Sequence, residues 1–154
     1  MCSRRAALPL TASLMVTAAV CGCSSGDEMA FAAVHGQVLL RGQPLADAMV
    51  VFHPLEGDAA VTAVASKAGQ SLPKPMAHTD SEGRFILTTN RPGDGAPPGR
   101  YAVTVELRKV RLIGEEEVRD GPNLLPAKYS RPETTPLRYQ VTDGLNDVPT
   151  LSIE

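Results

Sequence analysis

Residues 100–109 set the strongest limit on what this chain can become. Tyr101, Val103, Val105 and Leu107 alternate there with Ala102, Thr104, Glu106 and Arg108. A period of two places successive side chains on opposite faces of a strand, so this segment predicts a half-buried strand with one apolar face and one wet face. The alternation recurs at 34–41, where Val34, Gly36, Val38 and Leu40 share a face, and at 137–142 with Leu137, Tyr139 and Val141. A β-branched and aromatic run, Val50-Val51-Phe52, stops at Pro54, which cannot donate to a ladder. Turn residues separate these segments: Arg41-Gly42-Gln43-Pro44, Asp80-Ser81-Glu82-Gly83 and Asp143-Gly144. Residues 84–89 follow the second turn with Phe85 and Leu87 on one face, and 148–153 form the closing strand. No helical pattern of a dozen residues interrupts them. The expected fold is all-β, a sandwich of two antiparallel sheets.

Two stretches fit this scheme less directly. Residues 59–70 are alanine-rich and suit either a strand and loop or about two turns of helix, ended by Pro73 and Pro75. Residues 113–135 carry Glu115-Glu116-Glu117 and the prolines Pro122, Pro126 and Pro132. This length without regular structure predicts a surface excursion, pinned where Leu124, Leu125 and Tyr129 pack.

The N-terminus gives an address. Arg4 and Arg5 precede an uncharged, mostly apolar run at 6–21, followed by Gly22 and Cys23. Sixteen residues with Pro9 among them fall short of the roughly 20 that span a bilayer, so the run reads as a secretory signal. A cut after Ala30-Phe31-Ala32 would lie behind the charges of Asp27 and Glu28. A cut before Cys21 would leave Val20 at the position that wants a small residue. Val20-Cys21-Gly22-Cys23 instead resembles the lipobox of bacterial lipoproteins. That resemblance implies a diacylglycerol group on Cys23, cleavage before it, and attachment of the protein to a membrane of the cell envelope. Ser24 stands where an aspartate would retain some lipoproteins at the inner membrane, which favours the outer membrane.

The expected organisation is therefore a signal peptide at 1–22, a lipidated tether at 23–32 and one domain at 33–154. Removing the signal takes away two of 15 basic residues and no acid, which leaves 13 against 17 and a net charge of −4. No basic stripe marks a nucleic-acid partner. Cys2, Cys21 and Cys23 all lie at or before the cut, so the domain has no disulfide and no thiolate metal site. Its stability rests on its core, and a monomer is expected.

Three segments of the domain resemble the transthyretin-like, carboxypeptidase-regulatory-like domain of bacterial lipoproteins. Val34-His35-Gly36-Gln37-Val38, with Gly42-Gln43-Pro44-Leu45 and Ala48-Met49-Val50-Val51-Phe52, is similar to the family's opening hairpin. Thr79-Asp80-Ser81-Glu82-Gly83-Arg84-Phe85 is similar to its Thr-Asp-x-x-Gly-x-Phe turn. Pro97-Pro98-Gly99-Arg100-Tyr101-Ala102-Val103 is similar to its Pro-x-Gly-x-Tyr-x-Val strand start. Leu125-Pro126-Ala127-Lys128-Tyr129 resembles a feature of small stand-alone members. The resemblance implies a Greek-key, prealbumin-like sandwich of seven to eight strands. The motif residues have structural roles: Gly83 takes a positive φ after a tight turn, Asp80 caps that turn, Gly99 opens a strand, and Phe85 and Tyr101 fill the core.

Candidate chemistry is sparse. His35, His53 and His78 are the only histidines and show no metal-ligand spacing. Asp80, Glu82 and Gly83 lack the later bidentate glutamate of a calcium loop, since Arg91 stands at that place. No Gly-x-Ser-x-Gly elbow occurs. The transthyretin-related hydrolases end in Tyr-Arg-Gly-Ser, whereas this chain ends Leu151-Ser152-Ile153-Glu154. Lys109 and Lys128, with Asn90, Asn123 and Asn146, do not match the first-strand lysine and last-strand asparagine of an isopeptide crosslink. The expectation is a lipid-anchored, non-catalytic module that binds an envelope protein or glycan or contributes to surface architecture, with no cofactor, metal or catalytic residue. The alternative is a transthyretin-like hydrolase or small-ligand carrier.

Overall fold

Alternating residues of a strand direct their backbone groups to opposite edges, and the first strand uses both edges fully. The computed structural model describes residues 31–55 and 73–154. Strand β1 (Val34–Leu40) meets β2 (Gln43–Pro44) and β5 (Arg84–Ile86), both antiparallel. Leu87 N donates to Val34 O, Val38 N to Gly83 O and Leu45 N to Val38 O, so these partners share one edge. The intervening residues serve the other edge: Asn146 N donates to Ala33 O, Val148 N to His35 O, and Arg41 N to Ile153 O. There β10 (Asn146–Asp147) and β11 (Leu151–Ile153) run parallel to β1. The second sheet is antiparallel, in the order β4 (Met76–His78), β3 (Met49–Pro54), β6 (Gly99–Glu106) and β9 (Arg138–Val141). A separate ribbon pairs β7 (Arg111–Ile113) with β8 (Glu116–Val118).

The expectation of a β-sandwich holds, with one difference. The first sheet is mixed, because the chain's last strands lie parallel to its first. Strands β2 and β5 continue one line, and β10 and β11 another, so the two sheets hold seven strand positions. No helix occurs among the described residues apart from a single 3-10 turn, Ala127–Tyr129. The alanine-rich stretch at 59–70 lies outside the described residues.

Inward-facing residues of the two sheets form one core. Val34, Val38, Val50, Phe52, Leu87 and Tyr101 are fully buried in it. Phe52 sits at its centre, with ring centroids of Tyr101 at 5.7 Å, Tyr139 at 6.3 Å and Phe85 at 6.4 Å. The Tyr101 hydroxyl donates to Pro97 O at 2.7 Å, so its polar end is satisfied inside the core. Phe85 lies over Gly36, where a Cβ would come within 2.5 Å of the ring. The Arg41-Gly42 turn joins β1 to β2 with φ of 50° and 82°, the two positive values that a type I′ turn requires.

The wet outer face expected for β6 is not wet. Ala102 is 1% exposed and Thr104 3%. Both are small side chains on a central strand, set opposite Val51, His53 and Arg138 of the neighbouring strands. His53 Nε2 lies 2.9 Å from Thr104 Oγ1 in a hydrogen bond. Thr104→Ala should therefore cost about 1 kcal/mol rather than nothing, against about 1–3 kcal/mol for Val103→Ala. Urea titrations of the two variants check this, and a Thr104→Ala midpoint equal to wild type would mean that the bond contributes nothing.

Candidate functional site

The second resembling motif builds the first surface worth testing as a site. Thr79, 4% exposed, donates from its hydroxyl to Leu45 O at 2.6 Å and accepts from Ala48 N at 2.8 Å. It thereby clips β4 to the approach to β3. Asp80 Oδ1 accepts from Glu82 N and Arg84 N, both at 2.8 Å, and so holds the turn. Gly83 has φ +71°, and a Cβ there would meet Val38 O at 2.4 Å. The turn thus demands glycine twice over, by conformation and by space.

This turn makes β4 and β5 the arms of a hairpin, although they belong to different sheets. Met76 and Thr88 pair at its open end, and Asp80 N donates to Arg84 O at its closed end. Between those bonds lie His78 and Ile86, and no bridge joins them. The arms part there into an open groove of about 470 Å³, lined by His35, His78, Asp80, Arg84 and Ile86 over Phe85. Its charges already have partners. Asp80 Oδ1 is taken by the turn, and Arg84 pairs with Glu82 at 2.7 Å in an exposed ion pair.

The structure therefore gathers two of the three histidines that the sequence places apart. His53 lies on the outer face of the second sheet. Among the described residues no three potential ligands converge on a metal position. Burial, followed by the charge of Lys74, lowers the His53 pKa below its usual 6.5, while Glu133 and Glu106 pull it upward. The unfolded chain then binds a proton before the folded one does. This contribution to stability is complete above about pH 6.5 and is lost as pH falls through the lowered folded pKa. The urea midpoint should drop between about pH 7.5 and pH 5, and His53→Gln should shrink that drop. An unchanged drop would assign it elsewhere.

The second surface is the ribbon that follows β6. The expected irregular excursion at 113–135 is instead partly regular. Gly114, with φ +69°, leads a two-residue turn between Ile113 and Glu116, as a type II′ hairpin requires. Below the tip, Gly121 N donates to Lys109 O at 3.1 Å and Leu124 N to Leu107 O at 2.8 Å. Asn123 Oδ1 accepts from Leu107 N at 3.0 Å and Leu125 N at 3.2 Å. Arg111 grips Asp120 through two bonds of 2.8 and 3.0 Å, and Arg119 reaches Asp47 at 3.0 Å. Leu125 and Tyr129 are buried as expected, whereas Leu124 is 58% exposed. The tip itself stands clear of the body, with Leu112 and Ile113 exposed. A lone two-stranded ribbon is marginal in water, so its base interactions hold it out.

The remaining sequence candidates have structural places. Cys23 lies outside the described residues. Gly99 opens β6 and is buried, and Phe85 and Tyr101 are core residues. Asn146, 4% exposed, is taken up by Thr142, Gly144 and Ala33, and the Oδ1 of Asn123 by the amides of Leu107 and Leu125. Lys128 stacks its ammonium 4.8 Å above the Tyr129 ring. Among the described residues no buried side-chain polar atom lacks a partner. The sequence reading missed the Thr79 clip, although Thr79 stands in the motif it quoted. It also missed the β7 to β8 hairpin, whose one signal is Gly114 directly after the apolar pair Leu112-Ile113.

No protein-family model matches the sequence, and no curated protein matches it. Among solved structures, the chain is similar to a 9R-lipoxygenase from Cyanothece, with a TM-score of 0.43 and 16% identity over 79% of this chain and 16% of that one. It is also similar to the major pilin subunit of Bacillus cereus, with a TM-score of 0.42 and 15% identity over 81% of this chain and 30% of that one. The chain thus spans well under half the length of either protein. Likenesses this distant carry neither a family nor an activity to it.

Proposed function

We propose that this protein is a lipid-anchored component of the cell envelope whose transthyretin-like β-sandwich is a non-catalytic binding module, with the β7 to β8 hairpin as its contact surface. The observation that carries this reading is the opposition of two poles. Ala32 pairs with Ala96, and Asn146 N donates to Ala33 O, so the chain enters the fold where β6 begins. Strand β6 runs eight residues away from that pole, roughly 25 Å at about 3.3 Å per residue. The hairpin continues beyond its far end. A lipid on Cys23 would hold the first pole to the membrane and turn the hairpin away from it.

The non-catalytic part of the reading is supported by what the side chains already do. Among the described residues no buried side-chain polar atom lacks a hydrogen-bond partner, and in the groove between β4 and β5 Asp80 is held by the turn's amides and Arg84 by Glu82. A hydrolase or small-ligand carrier would have that open groove to work with. Binding on an exposed element held by a rigid scaffold needs none of it.

The test is a hairpin removal that spares its base. Arg111 and Val118 face each other across the ribbon, so an Asn-Gly turn can join them directly. A cut extending to Asn123 would instead strip the amides of Leu107 and Leu125 of their acceptor. The shortened protein should keep its unfolding free energy within about 0.5 kcal/mol, while in-cell crosslinks to envelope partners are lost. Crosslinks of undiminished yield would remove the hairpin from the interaction.

A further inference from the structure

The chemistry of the hairpin tip narrows the partner, on the reading that the tip is the contact surface. Leu112 is 70% exposed and Ile113 55%. Consecutive strand residues point to opposite faces, so the ribbon presents one large aliphatic side chain on each face. A flat partner surface would cover one and leave the other in water. The acids Glu115 and Glu116 are exposed at the turn beside them. The arginines nearby do not neutralise this turn, because Arg111 is engaged by Asp120 at 2.8 Å and Arg119 by Asp47 at 3.0 Å.

The tip is thus apolar on both faces and negative at its end. A second copy docked along the β8 edge, the strand that carries Glu116, would bring acid beside acid, which destabilises paired strands. Anionic lipid headgroups would repel it for the same reason. We propose that the tip inserts into a cleft on a protein partner, with apolar walls gripping Leu112 and Ile113 from both sides and lysine or arginine side chains at the rim facing Glu115 and Glu116. Desolvated aliphatic anchors surrounded by complementary charge are the usual energetic centre of such a contact.

The experiment places a photo-activatable amino acid at position 112 or at position 113 of the full-length protein in the cells that make it. Both positions should capture one and the same protein. Charge reversal by Glu115→Lys with Glu116→Lys should lower the yield about tenfold or more, and so should raised salt in isolated envelopes. The urea midpoint of the reversed variant should stay at the wild-type value, which separates lost binding from lost folding. Capture at neither position defeats the contact reading itself. Capture that survives charge reversal, comes from one face only, or consists of lipid or a second copy leaves the hairpin as a contact and overturns the basic, two-walled cleft.

Discussion

Replacing Phe52 with alanine should cost about 3–5 kcal/mol, the largest effect of any single core change in this fold. The ring is fully buried and touches aromatic neighbours from both sheets, with Tyr101 and Tyr139 on one side and Phe85 on the other. Truncation removes its transfer free energy and leaves a cavity that two hydrogen-bonded sheets cannot close by sliding together. It also removes two tilted ring contacts, with Phe85 and Tyr101, and one edge-to-face contact, with Tyr139, each worth about 0.5–1.5 kcal/mol beyond area. A domain of this size is stable by about 5–15 kcal/mol in total, so the variant should unfold at a much lower urea concentration or fail to accumulate. Phe52→Leu keeps most of the volume and should lose clearly less, which keeps the test readable if the alanine variant does not fold. A loss under about 1 kcal/mol for Phe52→Ala would place the centre of the core elsewhere.

Replacing Cys23 with serine should leave an unlipidated, uncleaved precursor in place of the processed protein, an all-or-none change. On the proposed anchor, acyl chains of about 16 carbons at roughly 0.8 kcal/mol per buried CH₂ make attachment effectively permanent once two or more are present. A hydroxyl cannot stand in for the thiol as acceptor of the diacylglycerol group, and cleavage depends on that modification. The sandwich should be untouched, because Cys23 lies nine residues before Ala32, whose pairing with Ala96 is the first bridge of the described chain. Intact-mass analysis of wild type and variant reads the result directly. A variant cut at the same bond as wild type, or a wild type without added acyl mass, would refute the anchor.

The sequence was most informative where the controlling physics acts between near neighbours. The alternation at 34–41 and 137–142 reports which face of a strand each residue occupies, and the burial of Val34, Val38 and Val141 agrees. Gly83 and Asp80 announced their turn because positive φ and an Asx-type cap are properties of four consecutive residues. Phe85 and Tyr101 followed from the same motifs. Glycine at 114 offered an equally local signal, obscured by the charges and prolines around it.

What the tertiary structure alone decided depends on which segments meet. Alternation does not say which edge a strand pairs on or in which direction, so the parallel alignment of β10 and β11 with β1 was not legible in it. Ala102 and Thr104 look like a wet face until longer side chains on the flanking strands close over them. Leu124 and Leu125 are equivalent as residues, yet the ladder from Leu107 turns only Leu125 inward. His35 and His78 share a groove because a turn far from His35 folds β5 against β1. Burial of apolar surface is non-directional. It therefore lets alternation mark in the sequence which face of a strand turns to the core, while the direction and edge of each strand, and what covers its other face, are set by contacts that form only once distant segments have met.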